Sequence, residues 1–157
     1  MKSLSIPLIL LLSACTATAT SSDTQPAQLN YVDLTLKANK EKLANYWIVA
    51  TTIEPKYPVS AARDGISGCV DLIVGINSEG KLQGYKVRSS YPQGVFDESA
   101  AAAIAKWRWS AAKANPEGKP VLTSYQLDFT LDYGKETSSK SRLRKDKFLA
   151  HCGKDRV

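Results

Sequence analysis

Few side chains in this 157-residue sequence are of a kind that makes or breaks bonds. The single histidine, His151, stands next to Cys152, and an imidazole beside a thiol can act as a base and nucleophile. Such a pair needs a third group to orient the base and a pocket for the substrate, and the sequence offers neither. The three cysteines (Cys15, Cys69 and Cys152) lie far apart, and with the one histidine they lack the clustered spacing of a zinc site. The acids are scattered as on any soluble surface. Trp107 and Trp109 read as core and sheet packing before they read as a ligand cage. The expectation is a protein that is not an enzyme and uses no cofactor and no metal.

The elements that would carry these residues are marked by pattern. Residues 57–65 read as a short helix, with Pro58 suited to its first position and Gly65 just past its end. Val70, Leu72, Val74 and Ile76 alternate onto one face of a strand. The turn at 77–80, closed by Gly80, returns the chain as a second strand, so 68–90 form an antiparallel hairpin. Phe96, Ala100, Ala103, Ile104 and Trp107 then make a helical stripe, with Asp97 as the expected N-cap. After the loop at 115–120, apolar Val121, Thr123, Tyr125, Leu127, Phe129, Leu131 and Tyr133 alternate with Leu122, Ser124, Gln126, Asp128, Thr130 and Asp132. The order helix, strand, strand, helix, strand predicts an α+β domain: a small three-stranded antiparallel sheet with two helices on one face. Tyr46 to Ala50 is a further candidate strand.

The N-terminal run "SIPLILLLSACTA" is too short to span a membrane, which takes roughly 20 apolar residues. A lysine, a short apolar stretch and small residues are the parts of a secretory signal. Its exit, Leu12-Ser13-Ala14-Cys15, resembles the lipobox of bacterial lipoproteins, in which the cysteine is acylated and becomes the new N-terminus. An ordinary cleaved signal with a coincidental cysteine is the competing reading. Thr16 stands where an inner-membrane lipoprotein often carries Asp, so the resemblance implies a lipid anchor on the periplasmic leaflet of an outer membrane. Residues 16–30 hold almost no large apolar groups and read as a flexible tether. With Cys15 assigned to lipid, Cys69 and Cys152 remain as a disulfide pair in an oxidising compartment, two free buried thiols being the alternative.

Charge gathers at the other end. Of the formal net charge of +6, residues 134–157 hold eight Lys/Arg against three acids. Such a tail could bind an anionic surface, nucleic acid or an acidic envelope polymer, or simply be a solvated extension. Nucleic acid is not expected, because no recognition motif is present. If Cys69 faces away from the helices, its bond to Cys152 draws the tail across the open face of the sheet, where Phe148 and Leu149 could pack near Ile73.

Taken in order, Tyr57-Pro58 with Ala61, Gly68 before a strand, Gly80 in the turn and Ser89-Ser90 form a set. Phe96-Asp97, Ala100-Ala101, Lys106-Trp107-Arg108-Trp109 and Gly118 complete it. The set resembles the C-terminal domain of the TonB family over roughly residues 55–131. The resemblance implies a binding module to which an outer-membrane receptor's extended TonB box adds as a strand, and an edge of unpaired N–H and C=O groups suits that role. The candidate edge is the last strand: Leu122, Ser124, Gln126, Asp128, Thr130 and Asp132. Departures matter too. The chain has no spanning helix and no proline-rich spacer, Ser67-Gly68-Cys69 replaces the family's acidic residue before the first strand, and Ser110-Ala111 stands where a proline is usual. The domain plan is therefore signal peptide 1–14, lipidated Cys15 and tether to 54, TonB-like domain 55–133, and a disulfide-tethered basic tail 134–157.

Two functions compete. One is an accessory to TonB-type transport that binds an outer-membrane receptor or other envelope protein by strand addition. The other is a structural envelope lipoprotein that self-pairs into a homodimer or holds an assembly together. The first requires an open edge at 122–132; the second requires that edge to be covered.

Overall fold

A computed structural model describes residues 30–131 and 139–153. Six strands and three α-helices follow in chain order: β1 (Val32–Asp33), a 3-10 helix (Lys37–Asn45), β2 (Trp47–Thr51), α1 (Val59–Arg63), β3 (Gly68–Ile76), β4 (Leu82–Tyr91), α2 (Asp97–Ile104), β5 (Arg108–Ala111), β6 (Val121–Phe129) and α3 (Ser139–Cys152). β3 and β4 form the expected hairpin, and β6 returns antiparallel to β3 on its other side. Gly80 closes the hairpin turn at φ +69°, with the Trp109 carbonyl oxygen 1.9 Å from where a β-carbon would stand, so the turn accepts no other residue without rearrangement.

Val70, Leu72, Val74 and Ile76 are fully buried on one face of β3 against Ala61 of α1 and Ala100, Ala103 and Ile104 of α2. Burial of each large member stabilises the fold by about 1.5–3 kcal/mol. Phe129 stacks on Phe96 at a ring separation of 4.3 Å, and Tyr57 meets both rings edge-on. Tyr57 Oη donates to the Ile66 carbonyl, which fixes the segment between α1 and β3. On the far side of the core, β2 and β5 pair as a separate antiparallel ribbon. The ribbon is pinned by Trp47 Nε1 donating to the Lys119 carbonyl and by buried Asn115 donating to the Tyr46 carbonyl.

The sheet differs from the expected three antiparallel strands. It has four, in the order β1-β6-β3-β4, and β1 runs parallel to β6. The reason lies ahead of the expected domain. Leu34 is buried in the main core and Val32 packs against it, so burying these side chains carries their backbone to the β6 edge. The two expected helices, α1 and α2, share one face as expected, and the tail that crosses the other face is itself a helix, α3. The N-cap of α2 is Phe96, and Asp97 is its first helical residue.

One core residue is mismatched with its surroundings. Thr123 is fully buried and its Oγ1 has no hydrogen-bond partner. Thr123→Val keeps the shape and removes a desolvated hydroxyl, so the urea midpoint should rise by the equivalent of about 1 kcal/mol. A fall of that size would show that the hydroxyl is bonded in solution.

Candidate partner-binding edge

The backbone of β6 is regular from end to end. Its nine pairings with β3, from Val121↔Ile76 to Phe129↔Gly68, keep one register. N–H and C=O groups of alternate residues in a strand point to opposite sides. Leu34 N donates to the Leu122 carbonyl at 2.8 Å and Val32 N to the Pro120 carbonyl at 2.9 Å, on the side away from β3. The outward series therefore continues through Ser124, Gln126 and Asp128.

β1 covers only the start of this series. Asp33 ends it by accepting from both Thr35 N (2.8 Å) and Thr35 Oγ1 (2.7 Å). These bonds hold the Asp33 carboxyl below its usual pKa, the backbone bond being the larger cause. The chain then turns off into the 3-10 helix. Among the described residues no strand continues β1 along the outward sides of Ser124 and Gln126. Beside them a groove of about 310 Å³ opens between the 3-10 helix and the face of the sheet. Lys37 and Lys40 stand at its rim and Asp71, Arg88, Ser124 and Gln126 in its floor. Asp71 is nearly buried and is held by Arg88, whose Nε lies 2.6 Å from Oδ2. Gln126 Nε2 donates to Asp128 Oδ1 and to the Cys152 carbonyl, both at 2.8 Å, and so ties β6 to the end of α3.

The opposite edge, β4, is longer but irregular. Its register shifts twice against β3, between Asp71 and Leu72 and between Gly75 and Ile76. Bulges and the exposed Lys86 are the devices by which sheets discourage pairing at an edge. Of the two edges, β6 is the better template.

The sequence-derived site residues fall as follows. Ser124, Gln126 and Asp128 lie on the outward series, and Thr130 is exposed just past the strand end. Leu122 departs from the expectation of an open edge, because Leu34 already occupies its outward carbonyl. Asp132 and Cys15 lie outside the described residues. Cys69 and Cys152 are joined by a disulfide, with Cα atoms 5.8 Å apart. The bond lays α3 across the open face, where Phe148 packs with Cys69, Cys152 and Tyr91, whereas Leu149 points to solvent. Cys152 is thus not a free thiol. His151 stacks on Tyr91 at 3.9 Å. Trp109 Nε1 donates to Tyr125 Oη at 2.9 Å and Trp107 Nε1 to the Ile53 carbonyl, so both indoles serve packing. Burial pushes the Tyr125 hydroxyl's pKa up. Sequence reasoning missed Lys37, Lys40 and Thr35, which it placed in a tether. The signal was present in the large apolar residues from Tyr31 to Trp47, which residues 16–28 lack.

These features define a class of protein: a small α+β domain with two helices on one sheet face and a regular last strand near the sheet's edge. Residues 53–131, half of the chain, match the family described as Gram-negative bacterial TonB protein C-terminal, and the chain belongs to that family. It is 31% identical over 78 residues to the TonB proteins of two strains of Xanthomonas campestris pv. campestris, covering 50% of this chain and 35% of theirs. It is 38% identical over 55 residues to TonB of Pseudomonas aeruginosa, covering 35% of this chain and 16% of that protein. The chain therefore spans about a third of the Xanthomonas relatives' length and about a sixth of the Pseudomonas one's. The solution structure of the Pseudomonas aeruginosa TonB C-terminal domain superposes with a TM-score of 0.53 at 22% identity, covering 66% of this chain and 97% of that one. No described helix is long and apolar enough to cross a membrane.

Proposed function

We propose that this chain is a periplasm-facing lipoprotein of the outer membrane, anchored at Cys15, that binds an extended segment of an envelope protein by strand addition, as an accessory to TonB-type transport. The observation that carries this reading is the β6 edge. Its register is unbroken, and among the described residues no strand continues beyond Leu122 the pairing that β1 begins. An incoming strand completes the outward N–H and C=O groups of Ser124 and Gln126, and its alternate side chains meet the groove beneath the 3-10 helix. β1 indicates a parallel direction for the incoming strand, because the chain's own segment already pairs that way.

A proline separates this role from a structural one. At Ser124 the N–H points outward, so Ser124→Pro removes a donor for the partner and leaves the β3 ladder intact. At Leu127 the N–H belongs to the ladder, and Leu127→Pro should unfold the sheet. Ser124→Pro should keep the wild-type far-ultraviolet spectrum and weaken capture of the partner by about tenfold, the equivalent of one lost backbone bond. Unchanged capture by a folded Ser124→Pro protein would remove β6 as the binding edge.

A further inference from the structure

The open face of the sheet collects features that strand addition does not use. α3 turns Phe148 and Cys152 inward, with Ser141 and Arg144 half-buried on the same stripe. The 3.6-residue period therefore sends Leu143, Asp146 and Ala150 outward, flanked by Arg142, Lys147 and Leu149. Leu143 is 56% exposed and Leu149 is 49% exposed. Through its 14 residues this helix carries five Lys/Arg and one acid. On the sheet beneath, Lys86 lies across from Ile73 on the same face and is exposed.

The Tyr31 ring lies over Gly75, with ring atoms 3.4 Å from where a β-carbon would stand, and it borders a shallow apolar hollow with Leu122, Ile73 and Gly84. Tyr31 thus lies on the face that α3 covers. The disulfide and the Gln126 bond hold α3 in one attitude, so its leucines and basic side chains form a fixed surface.

We propose that this face, with α3 at its centre, is a docking surface for an anionic phospholipid bilayer. Exposed leucines set among lysines and arginines are what an interfacial helix presents to headgroups and the acyl boundary. The surface is too basic to pair with a second copy of itself, and the α1–α2 layer is left facing the periplasm. In this attitude the β6 edge lies along the membrane plane, where a segment emerging from a membrane protein could reach it. Each Lys/Arg near an anionic lipid surface strengthens binding by roughly fivefold.

The test places a photo-crosslinking residue at Leu143, with Val59 of α1, 84% exposed in the opposite layer, as the control position. Full-length protein is reconstituted into vesicles of phosphatidylcholine alone and of equal parts phosphatidylcholine and phosphatidylglycerol. Lipid adducts at position 143 should rise at least fivefold on the anionic vesicles. In Arg142→Gln/Lys147→Gln they should fall back to the neutral-lipid level, and position 59 should give none. Equal labelling on both vesicles, or equal labelling at 143 and 59, overturns the proposal. So does a protein adduct in place of lipid when position 143 is used in cells. Any anchor at Cys15 holds both vesicle types alike, so neither its fate nor that of strand addition affects the readout.

Discussion

Phe129→Ala should lower the stability of the domain by about 3–5 kcal/mol, the usual cost of emptying a fully buried aromatic site. The expectation rests on where Phe129 sits. It ends β6 opposite Gly68, stacks on Phe96 at the start of α2 and receives the edge of Tyr57 ahead of α1, so one ring joins four parts of the chain. The site cannot collapse easily. A β-carbon on Gly68 would already stand 2.7 Å from the Phe96 ring and 1.8 Å from the Tyr91 carbonyl oxygen, which leaves the backbone around the cluster no room to shift. Phe129→Leu fills most of the space and should cost about 1.5 kcal/mol. Urea unfolding of both variants measures the difference. Equal losses for Ala and Leu would mean that the aromatic stack, and not the filled volume, holds the site.

Removing the disulfide should have the next largest effect. Cys69 and Cys152 are 83 residues apart, and the chain-entropy model assigns a crosslink of that span between 4 and 5 kcal/mol, of which about 2–4 is typically realised. Cys69→Ala/Cys152→Ala should lose that amount. The loss should begin in α3. Without the bond, α3 keeps the burial of Phe148, the Gln126 side-chain bond and the stack of His151 on Tyr91, together a few kcal/mol. Against them stands the entropy of ordering 14 residues at about 1 kcal/mol or more each, and isolated helices of that length are marginal in water. Amide exchange in α3 should therefore become fast in the double variant while β3 and β6 stay protected. Slow exchange in α3 would show that packing alone holds the helix.

The parts of this fold that the sequence revealed are those with a period. Val70 to Ile76 alternate and lie wholly in β3. The alternation expected from Val121 to Tyr133 forms β6 only as far as Phe129; Thr130 and Leu131 lie past the strand end and Tyr133 lies outside the described residues. The stripe expected from Phe96 to Trp107 became α2 only as far as Ile104, where its small and apolar residues return every three or four positions; Trp107 lies beyond the helix and leads into β5. What stayed hidden had no period to show. β1 is two residues long, and its pairing with β6 joins segments almost ninety residues apart. The 3-10 helix reads KANKEKLAN, a mostly polar string with no buried residue, so its own pattern does not mark it and only the apolar residues on either side do. The β4 bulges are mismatches between two strands and are invisible in either one alone. The candidate edge was legible in its residues and illegible in its neighbours: alternation pointed to Ser124, Gln126 and Asp128, but not to Leu34 on Leu122 or to the groove under Lys37 and Lys40.

The most direct test of strand addition puts a photo-crosslinking residue at each position from Leu122 to Thr130 in cells and identifies the captured protein. Capture is expected at alternate positions from Ser124 onward, weak at Leu122 where β1 lies, and directed at the periplasmic segment of a transport receptor or another envelope protein. Capture of a second copy of this chain along the same positions, or uniform capture without alternation, would contradict the account and make the β6 edge an element of self-assembly or no binding site at all.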